Sequence, residues 1–324
     1  MKNFVISILK LLGLYKTFII PPEVVANYIE LNTEESSVMK QIITGFCKEE
    51  KYDSKESRLF DIDALFSGRL LEFRQTHIPF LTEKTGLKNK KVLEIGCGTG
   101  ASTIALSEQG ALVTGIDIDE SAIEIAQKRA DIYRLHPSFL KLNATQIETL
   151  GDSDWDIIMF VASLEHMTPK ERQASLKQAF SLLKPGGHLC VFGTPNRLWP
   201  YDLHTSLLPF YMWLQDELAM DYARFSPRTE FSQIHTGNFE NKYEELYRWG
   251  RGVSFHEIEL ALGRITDLKV TGSLPIYLRK YGFIQKISYR RSDEFFLKRT
   301  LSRFGPKNMH PGFYECYLDI IIEK

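Results

Sequence analysis

No stretch of the chain carries the ~20 consecutive apolar residues that a membrane-crossing helix needs. The nearest approach is residues 1–20, where Phe4, Val5, Ile8, Leu11, Leu12 and Tyr15 are interrupted by Lys10 and Lys16, with no small-residue cleavage site after them. Their spacing is helical and Lys2, Lys10 and Lys16 fall on the other face. The segment is therefore expected to form an amphipathic helix ending before Pro21–Pro22, packed on the domain or lying on a membrane surface. Cysteine is scarce: Cys47, Cys97, Cys190 and Cys316 are scattered, without a C-x-x-C pair or a metal-ligand spacing. That distribution points to a reduced, cytoplasmic setting. An excess of charge of either sign is also missing. A formal net charge of −1 gives no global attraction to nucleic acid, for which no motif appears, and 44% hydrophobic with 25% charged residues excludes a disordered chain. Repeats and low-complexity segments are absent too, and 324 residues exceed one typical domain of about 100–200.

The most informative stretch is Lys91–Val–Leu–Glu–Ile–Gly–Cys–Gly–Thr–Gly–Ala101. Val92, Leu93 and Ile95 read as a buried parallel strand, after which Gly96, Gly98 and Gly100 turn the chain into a helix. Glycines there can take positive φ and let a ligand approach the backbone, and the free N–H groups of the next helix favour an anionic group. A nucleotide-type pocket follows. Gly96, Gly98 and Ala101 also satisfy the dinucleotide pattern, so a nicotinamide-dependent oxidoreductase stays open. Three features favour S-adenosylmethionine. Glu94 lies next to the loop, where a carboxylate can meet a cationic amino-acid moiety but suits a pyrophosphate badly. The third glycine falls at Gly100, and Leu183–Lys–Pro–Gly–Gly187 precedes another strand.

These residues resemble the class I S-adenosylmethionine-dependent methyltransferases, within them the branch of ubiquinone and menaquinone biosynthesis enzymes. The likeness runs from about residue 90 to 191. It implies an α/β fold, Rossmann-like, with a seven-stranded, mostly parallel sheet, and S-adenosyl-L-methionine as cofactor. Asp117, ending a second strand about twenty residues past the glycines, is placed to accept from the ribose hydroxyls. Asp119 reads as a helix cap instead. Ile118 is expected against the adenine face. Asn143–Ala144, ending a third strand, resembles the family position that holds the adenine amine, although a turn asparagine has the same look. Val161 follows the fourth strand, at the sheet edge where ligands bind in open α/β folds.

Beyond Val161 comes Ala–Ser–Leu–Glu–His166. The quinone-biosynthesis relatives carry E-x-x-E-H there, a set that can hold a divalent metal; with Ala162 in the first position the set is incomplete and no metal is expected. His166 is attractive as a general base for an acceptor hydroxyl, with a capping histidine as the plainer alternative. After the fifth strand, residues 194–206 are polar and proline-broken, so Asn196, Arg197, Asp202 and Thr205 are candidate acceptor ligands and His204 a second candidate base. Upstream, Arg74 could reach the cofactor carboxylate, though a surface arginine reads the same way.

Four regions result: a helical N-terminal extension (1–88), the cofactor-binding core (89–196), an insertion (197–252) and the C-terminal part of the core (253–324) with a basic insertion at 277–310. The 197–252 insertion carries Trp199, Trp213 and Trp249 and reads as an aromatic lid or a satellite packing cluster. The basic stretch, from Arg279 to Lys307, could face an acidic substrate or an anionic lipid, or be a solvated surface. The expected function is methyl transfer to a hydroxyl of a small molecule, whether sugar, lipid-linked or quinone-like. Besides the oxidoreductase, a non-catalytic cofactor-binding module attached to a membrane or assembly is the rival.

Overall fold

The computed structural model describes residues 27–49, 52, 54–151, 153–235, 239–281 and 293–324. The expected amphipathic helix of residues 1–20 and the middle of the basic stretch lie outside them. The strands are β1 (Lys91–Ile95), β2 (Leu112–Asp117), β3 (Ser138–Lys141), β4 (Trp155–Val161), β5 (Leu183–Pro195), β6 (Lys269–Ser273) and β7 (Tyr317–Glu323). They form one seven-stranded sheet in the order β3-β2-β1-β4-β5-β7-β6. β1 to β5 pair in parallel, and β7 runs antiparallel between β5 and β6. The mostly parallel α/β sheet expected from the sequence is the one observed.

Period-two alternation explains why the inner strands are apolar throughout. On β1 and β4, Leu93, Ile95, Ile158 and Phe160 enter one core while Val92, Ile157 and Met159 enter the other, so both faces are covered. One difference from expectation concerns β5. It begins at Leu183, so the Pro–Gly–Gly turn lies within the strand, and its register with β4 shifts between Trp155 and Ile157. Strand order reverses between β1 and β4, and the crevice beyond their carboxyl ends is where ligands bind in such sheets.

Two sets of helices frame that crevice. Upstream, α1 (Thr33–Phe46) opens with a capping box on Asn32 and Glu35. A continuous helical run then passes through α2 (Lys55–Asp63), a π-helical turn (Ala64–Gly68), α3 (Arg69–Glu72), a second π-helical turn (Phe73–His77) and α4 (Ile78–Thr85). Arg129, fully buried on α6 (Glu120–Ile132), which follows the short α5 (Ala101–Ser107), binds this run to the glycine loop. Its guanidinium donates to Leu65 O (2.6 Å) and Phe66 O (3.2 Å) in the first π-helical turn and to Thr99 O (2.9 Å) in the loop.

Downstream of β5, the 197–252 insertion packs a core of its own around Tyr211, Met212, Met220, Phe231 and Leu246, with Trp249 against it. Of the two sequence readings, this favours a satellite packing cluster. Two buried arginines join it to the sheet. Arg172, on α7 (Pro169–Leu182), donates to Leu164 O, Glu165 O and Arg251 O and pairs with Glu257 at 2.8 Å. Arg251 donates to Tyr211 O and Leu214 O and pairs with Asp216 at 3.1 Å. Guanidinium forks suit this work because five fixed donors can satisfy several carbonyls at once.

Candidate active site

A cavity of about 770 Å³ opens beyond the carboxyl ends of β1 and β4. Its wall includes Gly96, Cys97, Gly98, Asp117, Ile118, Asn143, Ala144, Val161, His166 and His204. The volume lies in the upper part of the ~300–1,000 Å³ range of small-molecule sites.

The three loop glycines, all at positive φ, serve three purposes. A Cβ at Gly96 would lie 2.5 Å from Ser163 Cβ, so this glycine lets the ends of β1 and β4 close on each other. At Gly100 it would lie 2.9 Å from Ala126 Cβ, which makes that glycine a helix-packing requirement, and Gly100 is not part of the cavity wall. At Gly98 nothing lies within 4 Å: the space its missing side chain leaves is ligand space.

Glu94 is placed differently from the expectation. Its carboxylate is fully buried, off the cavity wall, and accepts from the hydroxyls of Ser102 and of Thr103 (2.5 Å) at the start of α5. It ties the helix to the strand. Burial is the largest influence and pushes its pKa up to about 7, against the lowering effect of the two hydroxyls. Asp117 stands on the wall as expected, where its oxygens accept from Gly98 N (2.8 Å) and Asp119 N (2.9 Å). A carboxylate offers about four lone-pair sites, so acceptor capacity for a diol remains. Asp119 caps α6 through Ser121 N. Asn143 lines the cavity, but its Oδ1 caps the following 3₁₀ turn, accepting from Thr145 N and Thr145 Oγ1 (2.9 Å each). Ile118 is 59% exposed at the rim, available to an aromatic face.

Beyond β4, Ala162 takes φ 47°, a left-handed conformation that costs an alanine about 1–2 kcal/mol. The bend turns the chain toward a cluster in which Glu165, His166 and His204 each place a ligand-type atom within 4.8 Å of the others. His166 Nδ1 lies 2.8 Å from the carbonyl of Arg248. A carbonyl only accepts, so Nδ1 carries the proton and Nε2 holds the lone pair. Burial lowers the His166 pKa, although the Arg248 carbonyl opposes this. His204 comes from the insertion, its ring centre 5.6 Å from that of His166. Its Nδ1 is 3.1 Å from Thr205 Oγ1 and its Nε2 3.7 Å from Glu165 Oε1, and burial brings its pKa down to about 4. Glu165 is fully buried, which pushes its pKa up to about 7; Oε2 accepts from Thr194 at 3.3 Å, while Oε1 has no hydrogen-bond partner.

The relatives' motif made a metal conceivable and the loss of its first acid argued against one. His204 supplies a third donor that the motif spacing could not reveal, and the orphaned Glu165 oxygen fits a cation. Two imidazoles and a carboxylate suit a first-row transition ion better than Mg²⁺.

The four candidate acceptor ligands are corrected by their surroundings, for none belongs to the cavity wall. Asn196 donates to Phe313 O and Glu315 O, joining the end of β5 to the turn before β7. Arg197 donates to Met212 O. Asp202 is buried and accepts from the backbones of His204, Thr205 and Ser206, so it shapes the turn that presents His204. Thr205 Oγ1 donates to Gly250 O. Arg74 is paired with Glu108 and lies over the rings of Tyr28 and Tyr133, away from the cavity. Sequence reasoning missed Arg69, Glu72, Phe73 and His77, which line the opposite wall. Their i, i+3, i+4, i+8 spacing was the available signal.

Residues 92–187 match the family described as methyltransferase domain. A ubiquinone biosynthesis O-methyltransferase of Coxiella burnetii is 34% identical over 157 residues, 48% of this chain and 65% of that protein. One from Pseudomonas fluorescens is 28% identical over 147 residues, 45% and 62%. The match thus spans just under two thirds of these curated relatives. Among solved structures, magnesium protoporphyrin IX methyltransferase from Synechocystis with bound S-adenosylmethionine aligns over 52% of this chain and 80% of its own, at 22% identity and a TM-score of 0.38. The glycine loop, the acid ending β2 and the strand order, together with the methyltransferase-domain match over residues 92–187, support a class I S-adenosylmethionine-dependent methyltransferase fold for the core of this chain.

Proposed function

We propose that the chain transfers the methyl group of S-adenosylmethionine to a hydroxyl of a small molecule, with His166 as the base. The observation that carries this is the fixed tautomer of His166: the Arg248 carbonyl holds the proton on Nδ1, leaving a basic Nε2 on a ring that lines the cavity past β4. A sulfonium methyl is already activated, so the protein's tasks are alignment, exclusion of water and removal of the hydroxyl proton. The backbone around Gly96 and Gly98, with Asp117, Ile118, Asn143, Ala144 and Val161, holds the cofactor. His204, whose two nitrogens already have protein neighbours, is better suited to position His166 and the acceptor than to abstract the proton. A divalent cation held by Glu165, His166 and His204 would occupy the His166 Nε2 and replace the imidazole as the means of activation, lowering the pKa of a hydroxyl it coordinates. The O-methyltransferase relatives support the acceptor atom, and the acceptor itself is a small molecule of the sugar, lipid-linked or quinone-like kind.

The test is calorimetric titration with S-adenosylhomocysteine and with NADH, followed by incubation of extract metabolites with a labelled methyl donor. Uptake of the first ligand and label on a hydroxyl oxygen are expected. Uptake of NADH alone would install the oxidoreductase reading; cofactor uptake with no labelled product from any extract would favour the non-catalytic module.

A further inference from the structure

Two Lys or Arg side chains line the cavity, Arg69 and Arg248, and their circumstances differ. Arg248 is committed: it donates to His166 O and to both oxygens of Glu171, and it pairs with Glu244. The Arg69 side chain makes no hydrogen bond or ion pair among the described residues. It stands on α3 between the two π-helical turns, on the helix face that also carries Glu72, Phe73 and His77 to the cavity. Glu72, one turn on, feels its charge, but burial is the larger influence there and raises the Glu72 pKa. The π-helical turn before Arg69 is fixed to the glycine loop by Arg129, so the guanidinium is presented from an anchored backbone.

Arg69 also faces a defined end of the cavity. Its field reaches Glu165, His166 and His204, although burial dominates at each. A guanidinium stays charged throughout the accessible pH range, and its planar fork matches a carboxylate or phosphate. Arg69 thus brings to the wall a guanidinium that no carboxylate among the described residues pairs with, near the end where the proposed acceptor hydroxyl would lie.

Building on the methyltransferase reading, we propose that the acceptor carries an oxyanion, carboxylate or phosphate, that Arg69 grips while the hydroxyl is turned to His166. The full chain saturated with S-adenosylhomocysteine is titrated with benzoate, phenyl phosphate and benzyl alcohol, for the wild type, Arg69→Gln and Arg69→Lys. At least one anionic probe should bind the wild type about tenfold more tightly than benzyl alcohol, as expected of a charge-assisted contact. The preference should vanish in Arg69→Gln and survive in part in Arg69→Lys, with S-adenosylhomocysteine affinity unchanged in both. The two anions separate a carboxylate site from a phosphate site. Equal or absent uptake of both anions overturns the proposal, as does a loss of S-adenosylhomocysteine affinity in Arg69→Gln, which would assign the guanidinium to the cofactor's own carboxylate. Failure of the wild type to bind S-adenosylhomocysteine at all would instead remove the methyltransferase reading beneath it.

Discussion

The part of the cavity proposed to hold the cofactor and the part proposed to hold the acceptor are built by opposite means. Between residues 91 and 163 the work is done by backbone: a tight turn, helix N–H groups and an acid at a strand end, all fixed by chain spacing. The proposed acceptor part is assembled from wall side chains that arrive from distant segments, Arg69 from the upstream helical run, His166 from the β4 edge and His204 from the insertion. Polar residues near the second half are mostly structural. Asn196, Asp202 and Thr205 spend their hydrogen bonds on carbonyls and turns. Polarity in a loop close to a pocket is therefore a poor guide to contact with ligand, because buried loops must satisfy their own backbone first.

Substitutions can break this division or sharpen it. The largest effect is expected for Asp117→Ala, which removes the proposed ribose acceptor and the partner of Gly98 N; S-adenosylhomocysteine affinity should fall by about 100-fold or more in calorimetry. Next, His166→Ala should lower turnover by about 100-fold with S-adenosylhomocysteine affinity nearly intact. A parallel loss of both would blur the two halves. Because burial lowers the His166 pKa, the neutral base persists below the ~6.5 of a free imidazole, and the acid limb of the rate profile should lie below that value. Asn196→Ala should cost about 1–3 kcal/mol in a denaturant titration, for the lost partner of two buried carbonyls, while leaving cofactor affinity unchanged.

A further effect concerns pH. Glu94 has its folded pKa raised to about 7 from an ordinary value of 4.5. An acid shifted this way keeps its proton longer when folded, so the unfolded chain ionises first and stability falls as pH rises from about 4.5 to 7. Glu94→Gln should remove that slope from a melting series between those limits. Glu165 contributes a slope of the same sign. His204, lowered to about 4, contributes the opposite one, with stability lost as pH falls below the usual imidazole value.

The same division governs what could be read from sequence. The inner strands, the glycine turn, the place of Asp117 at the end of β2 and the Asp119 cap follow from local spacing, and each is present in the structure. Glu94 was visible as an acid beside the loop, but its partners were not: it is buried behind the wall, accepting from the hydroxyls of Ser102 and Thr103. The roles of Gly96 and Gly100 depend on Ser163 and Ala126, which sequence separation conceals. Arg74, a candidate for the cofactor carboxylate, lies off the cavity while Arg69 lines it, and the two π-helical turns rotate the helix faces in a way that an ideal register does not anticipate.

Arg129 joins the cofactor loop to the arm that carries Arg69 through three backbone carbonyls. A ligand that steadies the loop therefore steadies the arm as well, and the entropy of ordering it is spent only once. Donor and acceptor should then help each other in by a common factor, whichever arrives first. Cooperation of this kind would need no moving gate, only the contacts that one buried guanidinium makes on both sides.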